Sequence, residues 1–373
     1  MEHYLTYKIL ASQNDSTVRD IRLFKGSMGP CMALYLLSKK YGIPQAEVEA
    51  DKLLAQIISK VKSLNNITLG HGLSGIGWAI NKLSIEECID GDIDDILYDI
   101  DAIIYRSITG EGIVTKNLSP SNLKELGIYL VSRIENPRHK SDTIQHRLIE
   151  AAIRLTIERM YEAIPPVIDD ISKDVYIHSL WDFPAIAVFL AKAFDNNIYR
   201  DKIISMIRCW SLNIQGALPY YNTNKLCLAL SLHFLNRRVC NPEISKHVEL
   251  LIFSTDFEEI TNEIEYKRTN IFDGWIFTLF LLHKAMNLID IKHYKRKDLE
   301  SCRNTILKKY MRDGVKMIVE NRIDMSFING LSGIAIMYAF YPEIFFGVDL
   351  PHMERQEIEY QYGKRSHLRQ SRI

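Results

Sequence analysis

Hydrophobic positions along the chain follow two alternating patterns. Some segments are continuous apolar runs, such as 186–190 (IAVFL) and 276–282 (IFTLFLL), and a helix without a polar face is typically buried on all sides. Others carry apolar residues three or four positions apart with charges between them, as at Ile93, Leu97 and Ile100, which predicts a one-sided amphipathic helix. The alternation predicts repeated pairs of an outer amphipathic helix and an inner buried helix.

One short motif recurs at the start of the apolar runs. It is GHGLSGIGWAI at 70–80, NGLSGIAIM at 329–337 and, more weakly, KGSMGPCMAL at 25–34. The second glycine of its G-x-x-G core marks the register, and the first two copies, at Gly29 and Gly75, lie 46 residues apart. Degenerate copies at about this spacing bring the total to about seven units, and such recurrence indicates a fold built by repetition. These further copies lie at 126–131, 181–191, 224–232 and 272–282.

Helical repeats of this kind stack into an open superhelix or close into a ring. An open solenoid exposes its inner helices and needs polar caps, whereas these inner helices are almost wholly apolar and both terminal units carry the motif. The sequence therefore predicts an all-α fold, an α/α toroid of about seven helical hairpins that residues 1–348 form as a single domain. Residues 349–373 are expected to form a basic tail, either solvated or docked to an acidic partner.

The inner helices, with their G-x-x-G motifs and HGLSGIGW at 71–78, resemble the lanthionine synthetase C-like family over residues 20–345. The resemblance implies an enzyme that closes thioether rings by adding a zinc-bound cysteine thiolate of a precursor peptide to a dehydrated serine or threonine. It implies zinc ligands from a W-C-Y-G motif and a C-H-G dyad, with the substrate thiolate in the open fourth position. The implied partners are a precursor peptide or a partner modification enzyme.

The zinc ligands that the resemblance implies are not matched in this sequence. Trp181 is followed by Asp182 where W-C-Y-G would stand, and Ile328-Asn329 occupies the place of the Cys-His dyad. Asp can bind zinc, but an Ile-Asn pair cannot replace a thiolate and an imidazole. We therefore expect no bound zinc and no other cofactor.

Cysteine usage and charge limit the remaining possibilities. The six cysteines form no C-x-x-C pair, and Cys227 with His233, an alternative if the repeat alignment is shifted, is poorly spaced for a shared metal. Irregularly spaced cysteines suggest free thiols in a reducing compartment, and the start MEHY lacks the features of a signal peptide. The expected location is the cytoplasm. A net charge of 0 gives no support to nucleic-acid or membrane partners.

The candidate site residues lie at the starts of inner helices, which converge on one mouth of the predicted ring. Partial positive charge and unpaired amides there favour anionic or carbonyl-rich ligands, including a peptide. The alternative for each residue is structural, as a cap of a helix start or a part of the core. The predicted substrate-binding residues are His71, Trp181, Asp182, Asp273 and Asn329.

Two classes of function are compatible with these features. The first is a zinc-free relative of the cyclases that binds a ribosomally made peptide, or a partner enzyme, in a peptide-maturation pathway. The second is an active enzyme, either a cyclase with unusual ligands or another toroid enzyme such as one that cleaves carbohydrate. A glycosidase needs two carboxylates across its cavity, and Asp182 with Asp273 is the candidate pair. One fold hosts many activities, so the sequence leaves both classes open.

Overall fold

A computed structural model describes residues 2–13, 20–110, 118–163, 182–264, 271, 274–288, 293–319 and 324–345. All regular secondary structure in these ranges is helical. Outer and inner helices alternate along the chain, so that seven hairpins are present in the described ranges. This confirms the predicted all-α fold. The basic tail at 349–373 lies outside the described residues, and the single domain with a boundary at 348 stays a prediction.

Odd-numbered helices form the outer layer and even-numbered helices the inner layer. The outer helices are α1 (Glu2–Gln13), α3 (Pro44–Lys60), α5 (Ile93–Thr109), α7 (Ile144–Ala163), α9 (Arg200–Gly216), α11 (Pro242–Phe253) and α13 (His293–Val319). The inner helices are α2 (Met28–Tyr41), α4 (Leu73–Ile85), α6 (Pro120–Ile134), α8 (Asp182–Asp195), α10 (Asn222–Val239), α12 (Trp275–Leu288) and α14 (Leu331–Phe340). Short helical turns are Val61–Ser63, Ile260–Glu263 and Pro342–Phe345.

The inner helices close into a ring. Each packs on the next from α2 to α12, and α14 packs back on α2. The gap between α12 and the last unit is bridged by Phe280 and Tyr341, whose ring centroids lie 5.3 Å apart. Outside this ring, α1 packs on α2, α3 and α14, and the Tyr338 hydroxyl donates to the Glu2 carboxylate at 3.1 Å. The architecture is therefore the predicted α/α toroid and not an open superhelix.

Burial follows the two sequence patterns. On α2 every residue from Met28 to Ser38 is buried, as expected for a helix without a polar face. On α3 only Ala46, Ala50, Leu53 and Ile57 are buried, at spacings of four and three. Burying each large aliphatic side chain contributes roughly 1.5–3 kcal/mol, so one stripe is enough to hold an outer helix against the inner ring.

One buried polar cluster joins α5, α6 and the start of α7. Arg133, which is fully buried, pairs with Asp94 at 2.8 Å and with Asp101 at 3.1 Å. Asp101 also accepts hydrogen bonds from the Tyr129 hydroxyl and the Gln145 amide. Because removing one partner of a buried charged group leaves the others unpaired, this cluster fixes how the three helices pack.

His139 extends the cluster towards the surface. Its Nδ1 lies 2.5 Å from Asp94 Oδ1, and its Nε2 lies 3.0 Å from His146 Nδ1. Burial lowers the pKa of His139, although the hydrogen bond to Asp94 opposes this effect. At Asp94 burial alone raises the pKa, but hydrogen bonds from His139, the Lys140 N–H and Arg133 outweigh it and hold the pKa below its ordinary value. Both groups therefore take up a proton at a lower pH in the folded chain than in the unfolded chain.

We predict that His139→Gln reduces the pH dependence of stability. Below the ordinary histidine value of 6.5 the unfolded chain takes up a proton at His139, whereas the folded chain resists it because its pKa is lowered. The wild type should therefore lose stability as the pH falls below 6.5, and the glutamine variant should lose less. Urea unfolding at several pH values measures the slope, with exposed His71→Gln as control. Equal slopes for wild type and His139→Gln would contradict this assignment.

Candidate functional site

The loops that enter α2, α4 and α14 share one hydrogen-bond pattern. Each begins with an Asp or Asn whose side-chain oxygen accepts a hydrogen bond from the backbone N–H two residues on, an Asx turn. Its carbonyl oxygen accepts another from the N–H seven residues on, which closes the loop onto the helix start. These first residues are Asp20, Asn66 and Asp324, with distances of 2.8–3.0 Å. An Asp or Asn thus recurs six residues before the first motif glycine. This signal is visible in the sequence, but the predicted motif did not include it.

In the second and seventh units, a carbonyl group of the entry loop packs directly on the second motif glycine. A Cβ added to Gly75 would lie 1.7 Å from the Leu69 carbonyl oxygen, and one added to Gly333 would lie 2.0 Å from that of Phe327. Both distances are far shorter than atoms in contact allow, so only glycine fits at these positions. The motif therefore keeps glycine because the loop folds tightly onto the first turn of the helix.

Backbone hydrogen bonds join the three loops side by side. The Phe24 N–H donates to the Gly70 carbonyl at 3.1 Å, and the Phe24 carbonyl accepts from the Phe327 N–H at 3.1 Å. The Ile271 N–H continues the series by donating to the Ile328 carbonyl at 3.1 Å. The loop before α2 therefore lies between those before α4 and α14, and the first, second and seventh units meet at one mouth of the ring.

His71 and Asn329 lie at this mouth, at equivalent positions of their two loops. Both are exposed. The His71 ring meets Phe24 edge-on with centroids 5.9 Å apart, and Phe24 stacks on Phe327 at 6.1 Å. Lys25 occupies the equivalent position in the loop between them. Ring closure therefore brings two of the predicted site residues to either side of the same loop, although they lie far apart in sequence.

A polar cavity of about 430 Å³ opens beside Asn329. Its charged lining includes Asp20, Lys25 and Asp324. Hydrogen bonds from Arg22 are the largest influence on Asp20 and lower its pKa despite burial, and the charge of His71 contributes in the same direction. At the mouth, the half-buried Phe24 ring therefore lies next to a cavity that is lined by charges of both signs.

Asp182 lies in a different part of the mouth. It is the first residue of α8, in the fourth unit, and forms an ion pair with the nearly buried Lys124 of α6. The neighbouring Glu125 accepts a hydrogen bond from the Leu69 N–H at 2.7 Å. These contacts link the second, third and fourth units, whereas α14 lies across the ring from α8. Trp181 and Asp273, the other two predicted site residues, lie outside the described residues.

The expectation of unpaired amides is wrong at several inner-helix starts, among them those of α4, α10 and α14. At α4 the N–H groups of Leu73 and Ser74 donate to carbonyl groups of the entry loop, at 2.9 and 3.3 Å. At α10 the Glu263 carboxylate accepts from the N–H groups of Asn222 and Thr223, at 2.6 and 2.9 Å. The sequence does not predict Glu263 as a helix cap, because it lies about 40 residues along the chain from the helix that it caps. Side chains, more than free amides, therefore define what this mouth can bind.

Ile328 and Asn329, which the sequence resemblance puts in the place of a zinc-binding dyad, do not fit a zinc ion. Ile328 has no donor atom in its side chain, and Asn329 offers a neutral amide. In the part of the chain that the structure describes, no group of three or more His, Cys, Asp or Glu side chains is arranged to hold a metal. Burial raises the pKa of the Cys227 thiol to about 12, which disfavours the thiolate that binds metals.

Comparison with solved structures shows the same fold in a known protein. The structure matches nisin cyclase with a TM-score of 0.62 over 95% of this chain and 96% of that chain, at 12% sequence identity. No protein-family model matches the sequence, and comparison with curated proteins finds no match. The chain therefore has the cyclase-like α/α-toroid fold over nearly its whole length. None of its described helices combines the length and apolar character needed to cross a membrane.

We predict that Gly75→Ala destabilises the fold by about 2–3 kcal/mol, as overpacking of a tight contact does. The added Cβ would force the Leu69 carbonyl away from the start of α4. Gly216→Ala is the matched control, because a Cβ there meets no atom within 4 Å, and its effect should stay within about 1 kcal/mol. Urea unfolding of the two variants measures the difference. Equal free energies of unfolding for the two variants would contradict the prediction, because the loop would then accommodate the added Cβ without loss of stability.

Proposed function

We propose that this protein is a zinc-free, peptide-binding relative of the lanthionine-forming cyclases. It acts in the binding or maturation of a ribosomally made peptide, with the precursor peptide or a partner modification enzyme as its ligand. The observation that carries the proposal is a cyclase-like toroid matched over 95% of this chain. It is supported by the sequence resemblance, which puts Ile328 and Asn329 in the place of the zinc-binding dyad. Such a protein retains a place for the peptide and lacks the ligands for the metal.

The chemistry of the mouth supports a peptide ligand. Asn329 carries both a donor and an acceptor, as recognition of a peptide backbone requires. The half-buried Phe24 ring, with His71 packed edge-on against it, supplies apolar surface. The cavity of about 430 Å³ is of the size that usually holds small ligands or side chains. A segment of peptide can therefore place one side chain in the cavity and its backbone against Asn329.

Carbohydrate cleavage is less well supported by the described residues. A glycosidase needs one carboxylic acid that donates a proton to the leaving group. The Asp182 carboxylate is instead held in an ion pair by Lys124, which is only 9% exposed. The carboxylate is thereby engaged between α6 and α8. Asp182 is therefore better suited to joining α6 and α8 than to acting as a general acid.

We predict that the purified protein carries far less than one zinc per chain. The reason is the lack of a thiolate and imidazole at 328–329, since structural and catalytic zinc sites need three or four strong ligands. Elemental analysis after dialysis against metal-free buffer gives the stoichiometry. One zinc per chain that is lost in Asp182→Ala or Cys227→Ala would overturn the zinc-free assignment and favour an active cyclase with unusual ligands.

We also predict that His71→Ala and Asn329→Ala each weaken peptide binding by about tenfold, which corresponds to about 1.4 kcal/mol. Both side chains are exposed at the mouth, so the free energy of unfolding should change by less than about 1 kcal/mol. Fluorescence anisotropy with labelled precursor peptides rich in Ser, Thr and Cys measures the affinity. Gln56→Ala, an exposed change on outer helix α3, is the control and should bind as the wild type does.

Two results would contradict the proposal. If no precursor peptide binds the wild type, the mouth is not a peptide site. If both substitutions unfold the protein while Gln56→Ala does not, His71 and Asn329 hold the helix starts together and have no role in recognition.

A further inference from the structure

The entry loop of α4 carries His71 and is held from both sides. On one side, the Gly70 carbonyl accepts a hydrogen bond from the Phe24 N–H of the neighbouring loop at 3.1 Å. On the other side, the Leu69 N–H donates to the Glu125 carboxylate of α6 at 2.7 Å. A carboxylate that accepts from a backbone N–H makes a charge-assisted bond, which is stronger than a bond between neutral groups. Glu125 therefore makes a strong contact within two residues of His71.

The backbone of Leu69 is confined at both of its polar groups. Its N–H is held by Glu125, and its carbonyl packs on Gly75, where an added Cβ would lie 1.7 Å from the carbonyl oxygen. The next residue, Gly70, lies close against the Phe24 ring, because a Cβ there would lie 2.4 Å from a ring carbon. The backbone at these two residues is therefore closely confined as long as Glu125 holds the N–H.

At this point of the ring a side chain takes the place of a neighbouring loop. The residue of the seventh unit that corresponds to Leu69 is Phe327, and its N–H donates to a backbone carbonyl of the next entry loop, that of Phe24, at 3.1 Å. On the far side of α4, the described residues of the third unit are mostly helical, since α6 begins at Pro120. Carbonyl groups inside a helix are bonded within that helix. The Glu125 carboxylate supplies the acceptor instead.

Two consecutive residues of α6 bind different neighbours. Lys124 pairs with Asp182 of α8, whereas Glu125 reaches the loop before α4. Both α4 and α8 pack on α6, so these contacts do not by themselves hold the helices together. Glu125 is half-buried, and changes outside the core usually have small effects on stability. A substitution at Glu125 should therefore alter the mouth more than the stability of the fold.

We propose that Glu125 is a positioning residue of the mouth: its bond to the Leu69 N–H sets the place of His71 and thereby the affinity for the peptide ligand. Glu125 acts through the loop, and we assign it no contact with the ligand. The effect on affinity rests on the proposed function. The effect on the loop does not, because the hydrogen bond is present in the protein without a ligand.

Hydrogen exchange of the ligand-free protein tests the effect on the loop. Glu125→Met keeps the length of the side chain and removes the acceptor, whereas Glu125→Gln keeps an acceptor oxygen. Exchange at the Leu69 amide should be about tenfold faster in Glu125→Met, as the loss of a hydrogen bond to a charged group implies, and close to wild type in Glu125→Gln. Glu135→Met is the matched control, because Glu135 follows the other end of α6 and pairs with Lys192. If Glu125→Met does not fold, Glu125→Ala makes the same comparison.

The affinity for labelled precursor peptides tests the role of the contact in binding. Glu125→Met should weaken binding by about tenfold, while Glu125→Gln and Glu135→Met should bind as the wild type does. If Glu125 acts through His71, the double variant Glu125→Met with His71→Ala should bind about as weakly as His71→Ala alone. Independent contributions would instead add in free energy, so that the two losses of affinity multiply.

The possible failures can be told apart. Unchanged exchange at Leu69 in Glu125→Met would overturn the positioning role, whether or not a peptide binds. Losses that multiply in the double variant would overturn it as well, because Glu125 would then act independently of His71. A wild type that binds no precursor peptide would overturn the proposed function and the effect on affinity, while faster exchange at Leu69 would still confirm that Glu125 fixes the loop.

Discussion

The architecture of the mouth depends on one close contact between an entry loop and the first turn of the inner helix that follows it. In the second and seventh units a backbone carbonyl packs on a glycine where a Cβ would lie within 2.0 Å of it. Because this contact fixes the loop, it also fixes the direction in which the backbone continues after the carbonyl. Neighbouring loops can then meet through Phe24, which bonds to the loops on both sides. The ring is thus closed by its loops as well as by its helices.

The helical fold of this protein is shared with a protein of very different sequence, whereas the chemistry of the mouth depends on its own side chains. The toroid is shared with nisin cyclase at 12% identity, which shows how little of the sequence the fold requires. The helix starts that could have offered free amides are occupied by loop carbonyls at α4 and by Glu263 at α10. What distinguishes the mouth is therefore its side chains, above all His71, Asn329 and the Phe24 ring that His71 contacts.

The buried cluster around Arg133 connects the interior of the toroid with its outer wall. Arg133 on α6 holds Asp94 and Asp101 on α5, and Gln145 at the start of α7 bonds to the same group. Each helix is therefore held to the others by charged contacts that leave little freedom to slide.

The sequence by itself determined the helical layers, the number of repeats and the equivalence of His71 with Asn329. These properties depend on local periodicity, and the spacing of apolar residues and glycines carries them directly. Tertiary structure alone decided that Lys124 holds Asp182 and that Glu263 caps α10, because the partners lie 58 and 40 residues apart. No local pattern marks such pairs, since they form only where the ring brings distant helices side by side.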